Sequence, residues 1–274
     1  MKTLIHYSLI IALTLLTSCT VTNSDNSQAN NRKVIGVNLG NWELNFIKTV
    51  KGNGIITTKT HTTSDYHKVN VIGFMDVILE KGTEGTIRVT TDENIHQYVT
   101  IESNNGVLNI KIKNNVNNIQ LSRSINIKVP FTSLDNVSLT GSGDVLTNDK
   151  IKSDQFEAKV TGSGSMNLDI DVNRIDAKVT GSGDLKIIGT ATDLKIKVIG
   201  SGDFEGGSLI AQNVEAYVSG SGDAVVVAKS SIKARVTGSG DIEYLGNPST
   251  SDNKVSGSGD IEAIVNSAIS KSLK

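Results

Sequence analysis

The chain has 274 residues with 27 Lys+Arg against 28 Asp+Glu, a formal net charge of −1, and that balance removes a strong electrostatic claim on nucleic acid. Hydrophobic residues make up 37%, enough for a core and too many for a disordered chain. Glycine is abundant at 26 beside only 2 prolines and 4% aromatics, and the single cysteine excludes an internal disulfide or a multi-cysteine metal site.

Residues 1–18 read as a signal peptide: Lys2 supplies a short basic region and Leu4 to Leu16 is a mostly apolar run. As a helix that run spans only about 20 Å, short of the roughly 30 Å hydrocarbon core. It ends Leu16-Thr17-Ser18-Cys19, which looks like a bacterial lipobox with Cys19 as the lipidated mature N-terminus. The alternative is an ordinary signal peptide in which Cys19 is incidental. Acyl chains contribute about 0.8 kcal/mol per buried CH₂, so several would anchor the chain without a spanning helix. Residues 19–33 are polar, rich in Ser and Asn, and suit a flexible tether.

Residues 34–135 are expected to form an N-terminal β region with degenerate repeats. Strand-like runs stand at Thr86 to Thr91, Tyr98 to Glu102, Val107 to Lys113 and Ser124 to Val129. Ser103-Asn104-Asn105-Gly106 is a hairpin turn, because Asn-Gly suits positive φ. Val50-Lys51-Gly52-Asn53-Gly54-Ile55 resembles a degenerate copy of the repeat that follows.

Over 136–265 the chain repeats itself. Gly-Ser-Gly-Asp starts at Gly141, Gly181, Gly200, Gly220, Gly238 and Gly257, with the variant Gly162-Ser163-Gly164-Ser165. The intervals are 21, 19, 19, 20, 18 and 19 residues, the signature of a solenoid. Two positions before each motif stands Leu139 or a Val, and four before stands Val137, Ala158, Ala177, Ile196, Ala216, Ala234 or, breaking the pattern, Asn253. Polar residues fill the places between, so the approach is a strand with one buried face. A second apolar strand begins after each turn, and coils are expected to stack about 4.8 Å apart. Val69 to Val77 aligns with Val137 to Val145, which places an earlier coil at Gly73. Residues 266–274 form a tail.

The lipobox, the Gly-Asn-Gly opening, Val69-Asn70-Val71-Ile72-Gly73-Phe74-Met75-Asp76-Val77 and the Gly-Ser-Gly-Asp ladder resemble the family called "putative auto-transporter adhesin, head GIN domain", common among secreted and lipid-anchored proteins of Bacteroidetes. The resemblance covers roughly residues 50 to 264. It implies an all-β fold, a right-handed parallel β-helix or β-solenoid, and no catalytic residues. The ten residues after Ile264 leave no room for a membrane barrel, so anchoring is expected at Cys19.

The motif glycines Gly141, Gly143, Gly181, Gly183, Gly200, Gly202, Gly220, Gly222, Gly238, Gly240, Gly257 and Gly259 are read as structural corners. Asp144, Asp184, Asp203, Asp223, Asp241 and Asp260 should form one column. A row of Ca²⁺ ions would need more oxygens than one carboxylate per coil supplies. The favoured reading is that each Asp accepts hydrogen bonds from amides of its own corner. Lys159, Lys178, Lys197, Tyr217, Arg235 and Lys254 form an outward, mostly basic column. It is read first as a solvated, partly salt-bridged face and second as a track for an anionic glycan. Residues 136–274 carry 14 basic and 18 acidic groups, so the column lies in an acidic background.

The four histidines, His6, His61, His67 and His96, lie in no nucleophile or metal motif. No cofactor, metal or nucleic-acid partner is expected. The sequence thus reads as a lipid-anchored, extracytoplasmic, non-catalytic β-solenoid: an adhesin-like or structural protein of the cell envelope or outer membrane, periplasmic or surface-exposed. The alternatives are an envelope polysaccharide-binding module using the basic column, or a cryptic carbohydrate-active enzyme with its site in residues 78 to 135.

Overall fold

The computed structural model describes residues 49–113 and 118–264. The signal peptide, Cys19, the tether and the 266–274 tail lie outside them. The strands in chain order are β1 (Thr49–Lys51), β2 (Ile56–Thr62), β3 (Lys68–Gly73), β4 (Asp76–Lys81), β5 (Thr86–Asp92), β6 (Val99–Asn104), β7 (Val107–Ile112), β8 (Asn118–Gln120), β9 (Asn126–Phe131) and β10 (Asn136–Gly141). There follow β11 (Asp144–Thr147), β12 (Ile151–Gly162), β13 (Ser165–Gly181), β14 (Asp184–Gly200), β15 (Phe204–Gly220), β16 (Ala224–Gly238), β17 (Ile242–Leu245), β18 (Thr250–Gly257) and β19 (Ile261–Ala263). A single 3₁₀ turn, His96–Tyr98, interrupts them.

From β10 onward every coil pairs in parallel with the next, and the sequence repeat is the structural register. Gly141, Gly162, Gly181, Gly200, Gly220, Gly238 and Gly257 lie directly over one another. Within β13 the burial alternates through Met166, Leu168, Ile170 and Val172, passes two exposed residues, Asn173 and Arg174, and resumes at Ile175, Ala177 and Val179. That two-residue step is a bend, and the ladder to β14 skips Asn173 there. One coil is therefore two half-buried strands joined by this bend and closed by the glycine corner. Gly206 and Gly207 form a bulge opposite Ile187, which accounts for the 20-residue spacing in that coil.

The interior is built from straight columns. One runs Val71, Leu139, Val160, Val179, Val198, Val218 and Val236, all within 2% of full burial, each contributing about 1.5–3 kcal/mol. The narrow column beside it carries alanine in four coils. At the last described coil the interior changes character. Ser251 stands over Ile232, and Asn253 over Ala234. All of β18 is exposed.

The N-terminal end is capped, and there stacking order departs from chain order. The Val69 to Val77 segment does align with Val137 to Val145: Gly73 pairs with Gly141 and Val77 with Val145. On its other side, however, the coil of β3 and β4 is covered by β7 and β9. The chain leaves the coil at Lys81, travels outward, and returns to continue the stack. Antiparallel strands finish the end, β6 on β7 and then β5 on β9 with β2 on β5. The turn between β6 and β7 is the expected Asn105-Gly106 pair, with φ of 51° and 75°. Val50 to Ile55 takes no place in the corner column. Thr49–Lys51 pairs instead with Asn118–Gln120 in a separate two-stranded sheet, and Ile112 lies beside Gly73.

Candidate functional site: corner and basic columns

The glycine corner is a point of close backbone approach. The carbonyl of Gly141 accepts from the amides of both Ser163 and Gly164, at 2.9 and 3.1 Å, and the same double bond recurs at Gly181, Gly200, Gly220 and Gly238. Gly200 has φ of +120°, and a Cβ there would stand 2.3 Å from the Gly181 carbonyl oxygen. Only glycine fits both conditions.

The corner aspartates form the expected column, but their partners differ from the expectation. Asp144 accepts from the amide of Ser165, Asp184 from Asp203, Asp203 from Asp223, Asp223 from Asp241 and Asp241 from Asp260, at 2.7–3.1 Å. Each carboxylate therefore clamps the next coil and not its own Gly-Ser-Gly corner. Ser165 has no carboxylate, and there the amide of Asp184 turns to the carbonyl of Gly164, at 3.2 Å. Asp260 bonds the amide of Ile261 in its own coil. Like charges about 5 Å apart repel by roughly 0.8 kcal/mol in water. A hydrogen bond to a charged acceptor contributes roughly 1.5–3 kcal/mol, less where exposed, which offsets that repulsion. No group of three or more metal-ligating side chains converges among the described residues.

The basic column is also in register, and its members fall into two kinds. Lys159, Lys178 and Lys197 occupy consecutive coils. None of them makes an ion pair among the described residues. Tyr217 follows, with the Lys233 ammonium 5.9 Å from its ring centre. Above it Arg235 bonds the Asp252 carboxylate at 2.5 Å and the Asp252 carbonyl at 2.6 Å. That bond holds the Asp252 carboxyl below its ordinary pKa. Lys254 lies exposed on β18 over Arg235. The structure brings the three lysines together and sets Arg235 and Lys254 apart from them.

Polar groups also gather in and beside the cap. A hollow of about 570 Å³ is lined by Asp65, Tyr66, His67 and Glu84. Glu84 accepts the amides of Tyr66 and Thr132 at 2.7 and 2.9 Å, and the Tyr66 hydroxyl donates to the Pro130 carbonyl. Burial, with Glu84 nearby, pushes the Tyr66 phenol well above its usual range. Both groups are thus committed to the fold. Asp92 is fully buried and accepts from Gly54 N, Ser122 N and Ser122 Oγ at 2.8, 3.1 and 2.5 Å. Burial alone would raise its pKa, but these bonds outweigh burial and lower it. Sequence reasoning singled out neither Glu84 nor Asp92, because both accept from loop residues that the fold brings in from elsewhere in the chain.

His96 is buried, with Nε2 3.0 Å from Thr57 Oγ1 and no partner for Nδ1. His61 Nε2 is likewise buried and unpartnered. Burial lowers the pKa of both, helped by the charge of Lys59. No helix among the described residues is long and apolar enough to cross a membrane.

Solved structures share this architecture. A "putative adhesin" from Bacteroides fragilis superposes with a TM-score of 0.75 at 23% identity, covering 78% of this chain and 100% of its own. A "putative lipid binding protein" from Parabacteroides distasonis gives 0.68 at 26%, covering 80% and 100%. A "putative adhesin" from the same organism gives 0.65 at 26%, covering 79% and 100%. A search of curated proteins by sequence finds no match. The family model "Putative auto-transporter adhesin, head GIN domain" matches residues 65–248, a span from β3 to β17 that takes in the corners from Gly73 to Gly238, and the chain belongs to that family.

Proposed function

We propose that this chain is a lipid-anchored, extracytoplasmic, non-catalytic solenoid that makes adhesin-like or structural contacts at the cell envelope. The observation that carries this reading is the registered stack itself. From β10 to β18 each coil repeats the same outward positions, so the molecule presents straight columns at a fixed spacing of about 4.8 Å to an extended partner. Adhesin family membership and the adhesin relatives support the same reading. Lipid attachment at Cys19 follows from the lipobox. Fractionation of cells carrying the wild type and Cys19→Ala tests it. Wild type belongs in the membrane pellet and the variant in the soluble extracytoplasmic fraction. A membrane-bound variant would remove the anchor. Beads coated with the soluble variant should be retained on envelope preparations, and beads that wash off would remove the contact-making role.

A second reading, a glycan-binding module, gains weight from Lys159, Lys178 and Lys197, which make no ion pair among the described residues.

A further inference from the structure

The basic residues of the solenoid divide into those that meet an acid and those that do not. Six are paired with a neighbouring coil, Lys150 with Asp169, Lys152 with Asp171, Arg174 with Asp193, Lys186 with Glu205, Lys233 with Glu215 and Arg235 with Asp252, whereas Lys195, Lys229 and Lys254 make no ion pair among the described residues. Lys159, Lys178 and Lys197 also stack like on like with no ion pair among the described residues. The corner aspartates also stack like on like, but backbone amides compensate them. The lysine column has no such internal compensation.

We infer that Lys159, Lys178 and Lys197 form a track for a linear acidic polysaccharide, laid along the stack with its carboxylates on the ammonium groups. This deepens the surface-contact reading above and rests on it. Geometry favours a chain, because the three cations repeat at the coil spacing and one sugar residue of an extended polymer is about as long as one coil is thick. The flanking columns favour a sugar over a nucleic acid or polyphosphate. On one side stand Glu157, Asp176 and Lys195, on the other Thr161, Thr180 and Ile199. The two carboxylates repel a ligand charged along its whole width but accept hydrogen bonds from sugar hydroxyls. Lys159 and Lys178 are half-buried and Lys197 is exposed. The track ends at Tyr217, whose ring lies under the Lys233 ammonium.

The test is binding of the full-length chain, in mild detergent, to polygalacturonate, with dextran and inorganic polyphosphate as comparison polymers. Wild type should bind polygalacturonate, ignore dextran, and weaken as salt rises. Lys159→Gln/Lys178→Gln/Lys197→Gln should lower affinity about tenfold, the sum of three exposed ionic contacts. Lys152→Gln/Lys186→Gln/Lys229→Gln removes the same charge elsewhere and should leave affinity within twofold. Equal melting temperatures for the two triple variants establish that the loss is not unfolding. No binding by wild type, equal losses in both variants, or tighter binding of polyphosphate through the same lysines overturns the inference. Beads still retained on envelope preparations would show that the track alone failed and the surface-contact role stands.

Discussion

Replacing Gly200 by alanine should destabilise the solenoid from its middle. The residue sits at φ of +120°, where a non-glycine residue costs of order 1–3 kcal/mol. The new methyl would also lie 2.3 Å from the Gly181 carbonyl oxygen and 3.1 Å from its carbon, so the two coils must part locally. That carbonyl accepts from Ser201 and Gly202 at 2.8 and 3.0 Å, and separation weakens both bonds, worth about 1 kcal/mol each. Together these give a loss of about 3–5 kcal/mol. For a folded body of roughly 200 residues that lowers Tm by about 6–20 °C. Thermal melting by circular dichroism at 218 nm (a wavelength typical for β structure, roughly) reads it, with Ser201→Ala at the exposed neighbouring position as the control. A Gly200→Ala protein melting within about 2 °C of the wild type would refute the close-approach argument.

The aspartate clamp predicts a split between two substitutions. Asp203→Asn keeps an acceptor for the Asp223 amide and relieves repulsion, so its Tm should match or exceed the wild type, whereas Asp203→Ala should lose about 1 kcal/mol. Calcium chelation should move neither Tm, and a large fall would restore a metal role for the column. His61 and His96 give a pH dependence. Their folded pKa values lie below the unfolded value of about 6.5, so the neutral forms stabilise the cap. That stability is complete above pH of about 6.5 and is lost as pH falls toward the folded values. Melting followed from pH 7.5 to 5 should decline, and His61→Gln/His96→Gln should flatten the slope; an unchanged slope would remove the histidines from the account. Lys59 adds to the effect and Glu93 opposes it at His96.

The repeating body was legible because its physics is local. A corner that admits only glycine, and a strand that alternates polar with apolar, write themselves into every 19 or so residues, and Gly73 could be aligned on Gly141 across the intervening chain. Its cap was less legible. Strands β5, β7 and β9 were visible as runs, yet nothing local states that β7 and β9 lie outside β3 and β4. The same applies to Glu84 and Asp92, whose donors arrive from 18 to 48 residues away. The false turn at Gly52 to Gly54 shows the converse error. Two glycines and a convenient spacing mimic a corner, and Val50 even packs on the core two positions before Gly52, but the strand that carries it pairs with Asn118–Gln120 and not with a coil of the stack. Among the candidate site residues, the columns were readable from period alone. Which lysines stay unpaired was not, since that depends on how side chains from adjacent coils settle against one another.

A stack of like coils has no natural length, because the top of each coil is a template for another. The last described coil changes that with two side chains. Any coil laid on β18 would enclose the Ser251 hydroxyl and the Asn253 amide in columns that are otherwise hydrocarbon, at a cost of about 1–3 kcal/mol for each polar group left unbonded. Ser251 and Asn253 therefore make the exposed face of β18 a poor template for a further apolar coil, which disfavours open-ended stacking of one copy on another at that face.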